Sequence, residues 1–119
     1  MKTIWTLGHP SMRKSFDYEG TVSKGATLIH QAGKPHIDPA LFRAALNTFR
    51  GIEMKGGFME DNPSRGGFGE WVQKASKDKR LNSRALTPRH ASFIAAILCK
   101  EAGVKSRLEG MAVWLRFPE

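Results

Sequence analysis

Residues 87–117 read TPRHASFIAAILCKEAGVKSRLEGMAVWLRF, and this stretch decides the fold. Thr87 suits a helix N-cap, and Pro88 suits the first helical position, where a missing N–H costs nothing. Gly103 suits the position just past the helix end, where the backbone often turns left-handed. The spacing predicts a helix over 87–102. Ile94, Ile97, Leu98 and Ala102 recur at helical intervals and form its core stripe. Arg89, Ser92, Phe93, Ala96 and Lys100 lie towards another face, made of small, polar and cationic groups. A plain amphipathic helix with a solvated side would carry the same pattern.

A hairpin follows. Val104 to Leu108 and Met111 to Phe117 flank the dipeptide Glu109-Gly110. A two-residue loop there sets Leu108 opposite Met111, Ser106 opposite Val113 and Val104 opposite Leu115. The other face pairs Arg107 with Ala112 and Lys105 with Trp114, and adds Arg116. One side of the ribbon is apolar and the other basic and aromatic. Trp114 beside Lys105 suggests a cation–π pair that stiffens the ribbon, or a ring packed on the body or on a partner.

Upstream, Asp38-Pro39 opens a helix, with Phe42, Ala45, Leu46 and Phe49 on one face and Gly51 at its end. Ile37 is placed to staple against Phe42. Ile52 to Lys55 suits a short strand. Gly56-Gly57-Phe58 and Gly66-Gly67-Phe68 flank a polar loop, Met59 to Arg65. Phe68, Trp71, Val72 and Ala75 then predict a helix over 68–76. Ser76 to Leu86 is a basic connection in which Leu81 and Leu86 turn inward. In the first third, Ile4 to Leu7 suits a strand, and Phe16 to Val22 with Ala26 to Gln31 suits a hairpin around Ser23-Lys24-Gly25. These strands either pack on the helices or serve dimerisation.

The 119 residues, 40% of them apolar, suit one modest core. The expected organisation is an N-terminal extension of short strands over 1–37 and a second unit over 38–119. No apolar run is long enough for a membrane span, and the first residues lack a signal-peptide pattern. Cys99 is the single cysteine, which excludes an internal disulfide, and its helix position suits a partly buried structural thiol. A cytoplasmic setting is expected.

Net charge is +8 and unevenly placed. Lys74 to Arg107 holds nine basic residues against two acidic ones, while the remainder holds ten against nine. A solvated surface normally mixes signs more evenly. Such a concentration favours a polyanion through phosphate contacts and counterion release. It also suits an anionic membrane or an acidic protein.

In order, the elements are helix, short strand, helix, helix, strand, tight turn, strand. The run Leu98-Cys99-Lys100-Glu101-Ala102-Gly103-Val104-Lys105-Ser106-Arg107-Leu108 to Leu115 resembles the end of the recognition helix and the wing of bacterial winged-helix repressors. The resemblance covers the last third of the chain in sequence and the last two-thirds in element order. It implies an α+β, winged-helix-like fold, with three helices, a C-terminal β-hairpin and a small N-terminal β extension. Three features depart from that family. The connection between the second and third helices is long, the hairpin turn is short with Met111 where arginine is common, and the first third matches nothing in it.

Other chemistry is poorly supported. His9, His30, His36 and His90 show no zinc-ligand spacing with Cys99 or with one another, though His30 and His36 flank a Gly-Pro turn. The glycine triplets lack the lysine and Ser/Thr of a phosphate loop. No serine sits in a nucleophile elbow, and no carboxylate pair is placed for acid–base work. The expectation is therefore no enzyme, no cofactor and no metal. Duplex DNA is the expected partner, in a transcription-regulating role. Arg89, Ser92 and Lys100 would face the major groove. Lys105, Arg107 and Arg116, with Lys77, Lys79, Arg80 and Arg84, would hold phosphates. RNA stacked on Phe58, Phe68 or Trp114 is a further partner class. A protein-interaction or accessory module of a mobile element, acting on an acidic protein, is the alternative. A homodimer suits a half-site reader.

Overall fold

The computed structural model describes residues 1–8, 11, 13–29, 31, 33–58 and 65–119. Alternating side chains build a first sheet. In β2 (Ser15–Thr21) Phe16 and Tyr18 are buried while Ser15 and Glu19 are exposed, the period of a half-buried strand. β1 (Lys2–Trp5) pairs with β2, β2 with β3 (Gly25–Ile29), and β3 with β4 (His36–Ile37), all antiparallel, in the order β1-β2-β3-β4. The β2–β3 turn runs through Val22-Ser23-Lys24, close to its expected place. The first strand forms earlier than expected, at Lys2–Trp5 in place of Ile4 to Leu7. His30, and with it the flanking of the Gly-Pro turn by His30 and His36, and the polar loop over 59–64 lie outside the described residues.

Helix α1 (Pro39–Thr48) starts after Asp38, with Pro39 first, and turns Leu41, Phe42 and Ala45 inward. Strand β5 (Glu53–Lys55) follows, then α2 (Phe68–Ala75). Helix α3 (His90–Glu101) leads through Gly103, at φ +77, into β6 (Lys105–Glu109) and β7 (Ala112–Arg116). β5 joins the hairpin as a three-stranded antiparallel sheet in the order β5-β7-β6. The molecule is thus α+β, with three helices and two small antiparallel sheets among the described residues.

The hairpin register differs from the expected one. Ser106 faces Leu115, Arg107 faces Trp114, Leu108 faces Val113 and Lys105 faces Arg116, so the loop is Gly110-Met111. Gly110 takes φ +61 and Met111 stays at negative φ, the pattern of a II′ turn with glycine at its first central position. A loop at Glu109-Gly110 would sit less easily on a glutamate. The shift moves each partner by two residues, and the two faces keep their membership. Their burial does not follow the expectation along the whole ribbon. Val104 and Leu115 are buried at its base, but Leu108 and Met111 at its tip are 42% and 64% exposed.

The third helix also opens later than expected. His90, Ala91 and Ser92 donate their N–H groups to the carbonyls of Thr87, Pro88 and Arg89, three residues back, so a tight turn precedes the α-helix. The cap signal survives in altered form. The Thr87 N–H donates to His90 Nδ1 at 3.1 Å, the reach-back half of a capping box with histidine in the usual Glu/Gln role.

One apolar cluster takes in Tyr18, Leu28 and Ile37 of the first sheet, Phe42 of α1, Val72 of α2, and Ile94, Ile97 and Leu98 of α3. α3 is buried on several sides, because Ala91, Ala95 and Ala96 let neighbours approach closely. The helix face expected to point outward is therefore interrupted. Ala96 is 3% exposed, and the Phe93 ring stands edge-on to Phe16 at 4.8 Å. The apolar side of β1 and β2 needed cover, and α3 supplies it. Phe68, with no exposed surface, packs among Phe49, Trp71 and Phe117, which removes it as a stacking platform.

Candidate functional site

A groove of about 560 Å³ opens where the end of β1, the start of α3, the segment after β5 and the hairpin tip converge. Leu7, Phe58, Phe93 and Val113, all half-buried, form its walls. Lys14, Lys55 and Arg89, all exposed, stand at its rim. No carboxylate lines it among the described residues. A neighbouring hollow of about 310 Å³ shares Leu7, Gly8 and Val113 and adds Arg13 and Arg107.

Local structure explains each placement. The tight turn before α3 leaves Arg89 at the helix mouth, where its carbonyl accepts from the Ser92 hydroxyl at 2.9 Å. Lys55 ends β5 opposite Trp114, with its ammonium 5.9 Å from that ring. The Gly56 N–H donates to the Val113 carbonyl at 2.8 Å, and the Gly69 N–H donates to the Gly56 carbonyl at 2.7 Å. Those two bonds tie the Gly-Gly-Phe segment to β7 and to α2, and so hold Phe58 at the groove. A side chain at Gly69 would put its Cβ 2.0 Å from the Gly57 carbonyl oxygen, so only glycine permits this approach.

The outer face of the second sheet is the basic-aromatic face expected from the sequence, with β5 added. Across its three strands lie the rows Lys55–Trp114–Arg107 and Glu53–Arg116–Lys105. The expected Lys105–Trp114 pair is replaced, because the register shift puts Arg107 opposite Trp114, at 5.2 Å from the ring. Arg107 is held by Glu53 at 2.9 Å and Glu109 at 3.0 Å. The hydrogen bond from Arg107 holds the Glu53 carboxyl below its ordinary range, and both partners raise the guanidinium. The Arg107 charge is therefore already paired within the fold.

The other expected contacts are dispersed. Lys100 lies at the far end of α3, about 16 Å from Arg89 at 1.5 Å per residue. In the connection, Arg80 is paired with Asp78 at 3.0 Å, Lys79 reaches the Ser83 carbonyl and Arg84 reaches the Gly33 carbonyl. Lys77 is exposed. Asn82 pins that connection to the body: its side chain accepts from the Asp38 N–H at 2.7 Å and donates to the carbonyls of His36 and Arg84. Leu86 is buried there, and Leu81 packs against the core, both as expected. Of the ten residues named from sequence, Arg89 and Ser92 line the groove and Arg107 lines the hollow beside it. Lys14, Lys55, Arg13 and Phe93 also line these two openings and were not among those ten. Their signal was weak, since Arg13-Lys14 reads as loop and Lys55 as one residue of a short strand.

His36 is engaged by Thr27 at 2.8 Å and Asp38 at 3.4 Å. Burial pushes the Cys99 thiol up to about 11, a rise that a hydrogen bond with Ser106 only partly opposes. Among the described residues no helix is long and apolar enough to cross a membrane. No family model, curated protein or solved structure matches this chain.

Proposed function

We propose that this chain binds nucleic acid, with a winged-helix-like body holding the groove between α3 and the hairpin tip. The observation that carries the reading is the rim of Lys14, Lys55 and Arg89, three exposed cations without a carboxylate among the described lining residues. In a body of this kind the start of the recognition helix and the wing flank the path of a phosphate backbone. Here both border the same groove, and β5 binds the wing to the body. Phosphate contacts supply affinity without sequence information, so binding should weaken steeply as salt rises.

Fluorescence anisotropy with a duplex and a single strand, titrated from low to moderate salt, tests the proposal. A linear fall of log affinity with log salt supports it. Absence of binding to either probe at low salt, by protein shown to be folded, overturns it. A protein-interaction module is the second reading. It is favoured by Trp5, Leu108 and Met111, which are 59%, 42% and 64% exposed, and that same negative result would select it.

A further inference from the structure

We infer that the groove seats an unpaired nucleobase, which makes the preferred ligand single-stranded nucleic acid rather than duplex. This rests on the nucleic-acid reading and goes beyond it. The groove and a bare phosphate backbone are mismatched. Phosphates would be served by the rim cations alone, and burying them against Leu7, Phe58, Phe93 and Val113 is unfavourable. The walls call for an apolar, flat body, while the rim calls for anionic groups on either side of it. A nucleotide within a strand has both parts. Its base offers a π face to Phe58 or Phe93, and its flanking phosphates meet Lys14, Lys55 and Arg89.

The groove's size agrees, since about 560 Å³ lies within the usual range for sites that enclose a small organic group. A stacked base pair cannot present its face to such a wall. The body also discourages duplex reading. Ala96 is buried and Phe93 packs on Phe16, so the first sheet blocks α3 from lying along a major groove. The adjoining hollow, with the exposed Arg13, continues the groove past the shared wall of Leu7 and Val113. It extends the track for the next nucleotide.

The test compares three probes of equal length at low salt: a thymidine oligomer, an abasic deoxyribose-phosphate oligomer, and a duplex. The thymidine strand should bind about tenfold or more tighter than the abasic strand, the scale of one stacked base. It should also exceed the duplex. Phe58→Leu should bring the thymidine strand towards the abasic affinity, and Phe58→Trp should keep the preference, with thermal unfolding used to confirm that each variant folds. Equal affinity for thymidine and abasic strands, or tighter binding of duplex, overturns the single-strand inference and leaves the polyanion reading standing. Failure of all three probes overturns both. The comparison on the unaltered protein decides the matter even if the Phe58 variants do not fold.

Discussion

At residue scale, Gly69 and Cys99 show how a neighbour sets what a side chain does. Alanine favours a helix over glycine by about 1 kcal/mol. At Gly69 that gain is outweighed, because the new Cβ would meet the Gly57 carbonyl oxygen at 2.0 Å and the oxygen belongs to backbone. Gly69→Ala is expected to destabilise the fold by about 3 kcal/mol, measured by urea unfolding, from forced displacement of packed backbone. A variant as stable as the parent would show that α2 does not seat on the Gly-Gly segment. Cys99 illustrates burial. With its thiol pushed up to about 11, about one molecule in a thousand carries thiolate at pH 8. Iodoacetamide should modify it about a hundredfold more slowly than a free cysteine, and at the ordinary rate once guanidinium unfolds the chain. Rapid alkylation of native protein would mean that the Cys99 thiol is not packed inside the fold.

At the scale of elements, the junction between the first sheet and α3 is polar at one end and aromatic at the other. Phe16 meets Phe93 towards the start of the helix. Near its end the carboxylate of Glu101, whose side chain is 17% exposed, accepts from the Tyr18 hydroxyl, from the Val22 N–H at 3.1 Å and from Lys2 at 3.2 Å. Burial pushes the Glu101 carboxyl up, but these donors together outweigh it, and the net direction is downward. Burial and the bond to Glu101 keep the Tyr18 hydroxyl protonated well beyond its ordinary range.

A carboxyl lowered on folding contributes stability above its unfolded value, about 4.3, and loses it as pH falls through the folded value. Glu101→Gln keeps the shape and removes the charge. It should cost about 1 to 2 kcal/mol at pH 7, with the exposed Lys2 contributing little of that. The difference from the parent should narrow as pH falls below the unfolded value and close only once pH is below the lower folded one, where the native carboxyl is neutral as well. A pH-independent difference would mean that the charge at this junction carries no stability.

At the scale of the molecule, the cations divide into those already paired and those open to a ligand. Arg80 and Arg107 belong to the first group, while Lys14, Lys55 and Arg89 surround a groove. On the proposed function, Arg89→Ala should weaken all sequences about equally and reduce the salt slope by about one. Arg80→Ala should change affinity far less, since Asp78 already takes up its charge. Equal losses from the two variants would mean that a diffuse charge, and not the groove, attracts the ligand.

Much of this architecture follows from local sequence. Asp38-Pro39, the 3.6-residue apolar spacing of the helices, Gly103 and the alternation through Val104 to Phe117 all encode structure over neighbouring positions, where sterics and hydrogen bonding act directly. The two faces of the hairpin are legible for the same reason, and they survive a turn placed one residue from its expected site. The groove is not local. Its walls come from Leu7, Phe58, Phe93 and Val113, and its rim from three positions as far apart in sequence as Lys14 and Arg89. Which cations are paired depends on Glu53 lying across two strand pairings from Arg107. Whether α3 shows a face to solvent depends on a sheet formed more than fifty residues earlier, about which its own periodicity says nothing. Sequence alone thus determined the kinds of element and their faces, because those arise from contacts between near neighbours. Tertiary structure decided which faces meet and which charges stay open, because only the folded chain brings distant residues within bonding distance.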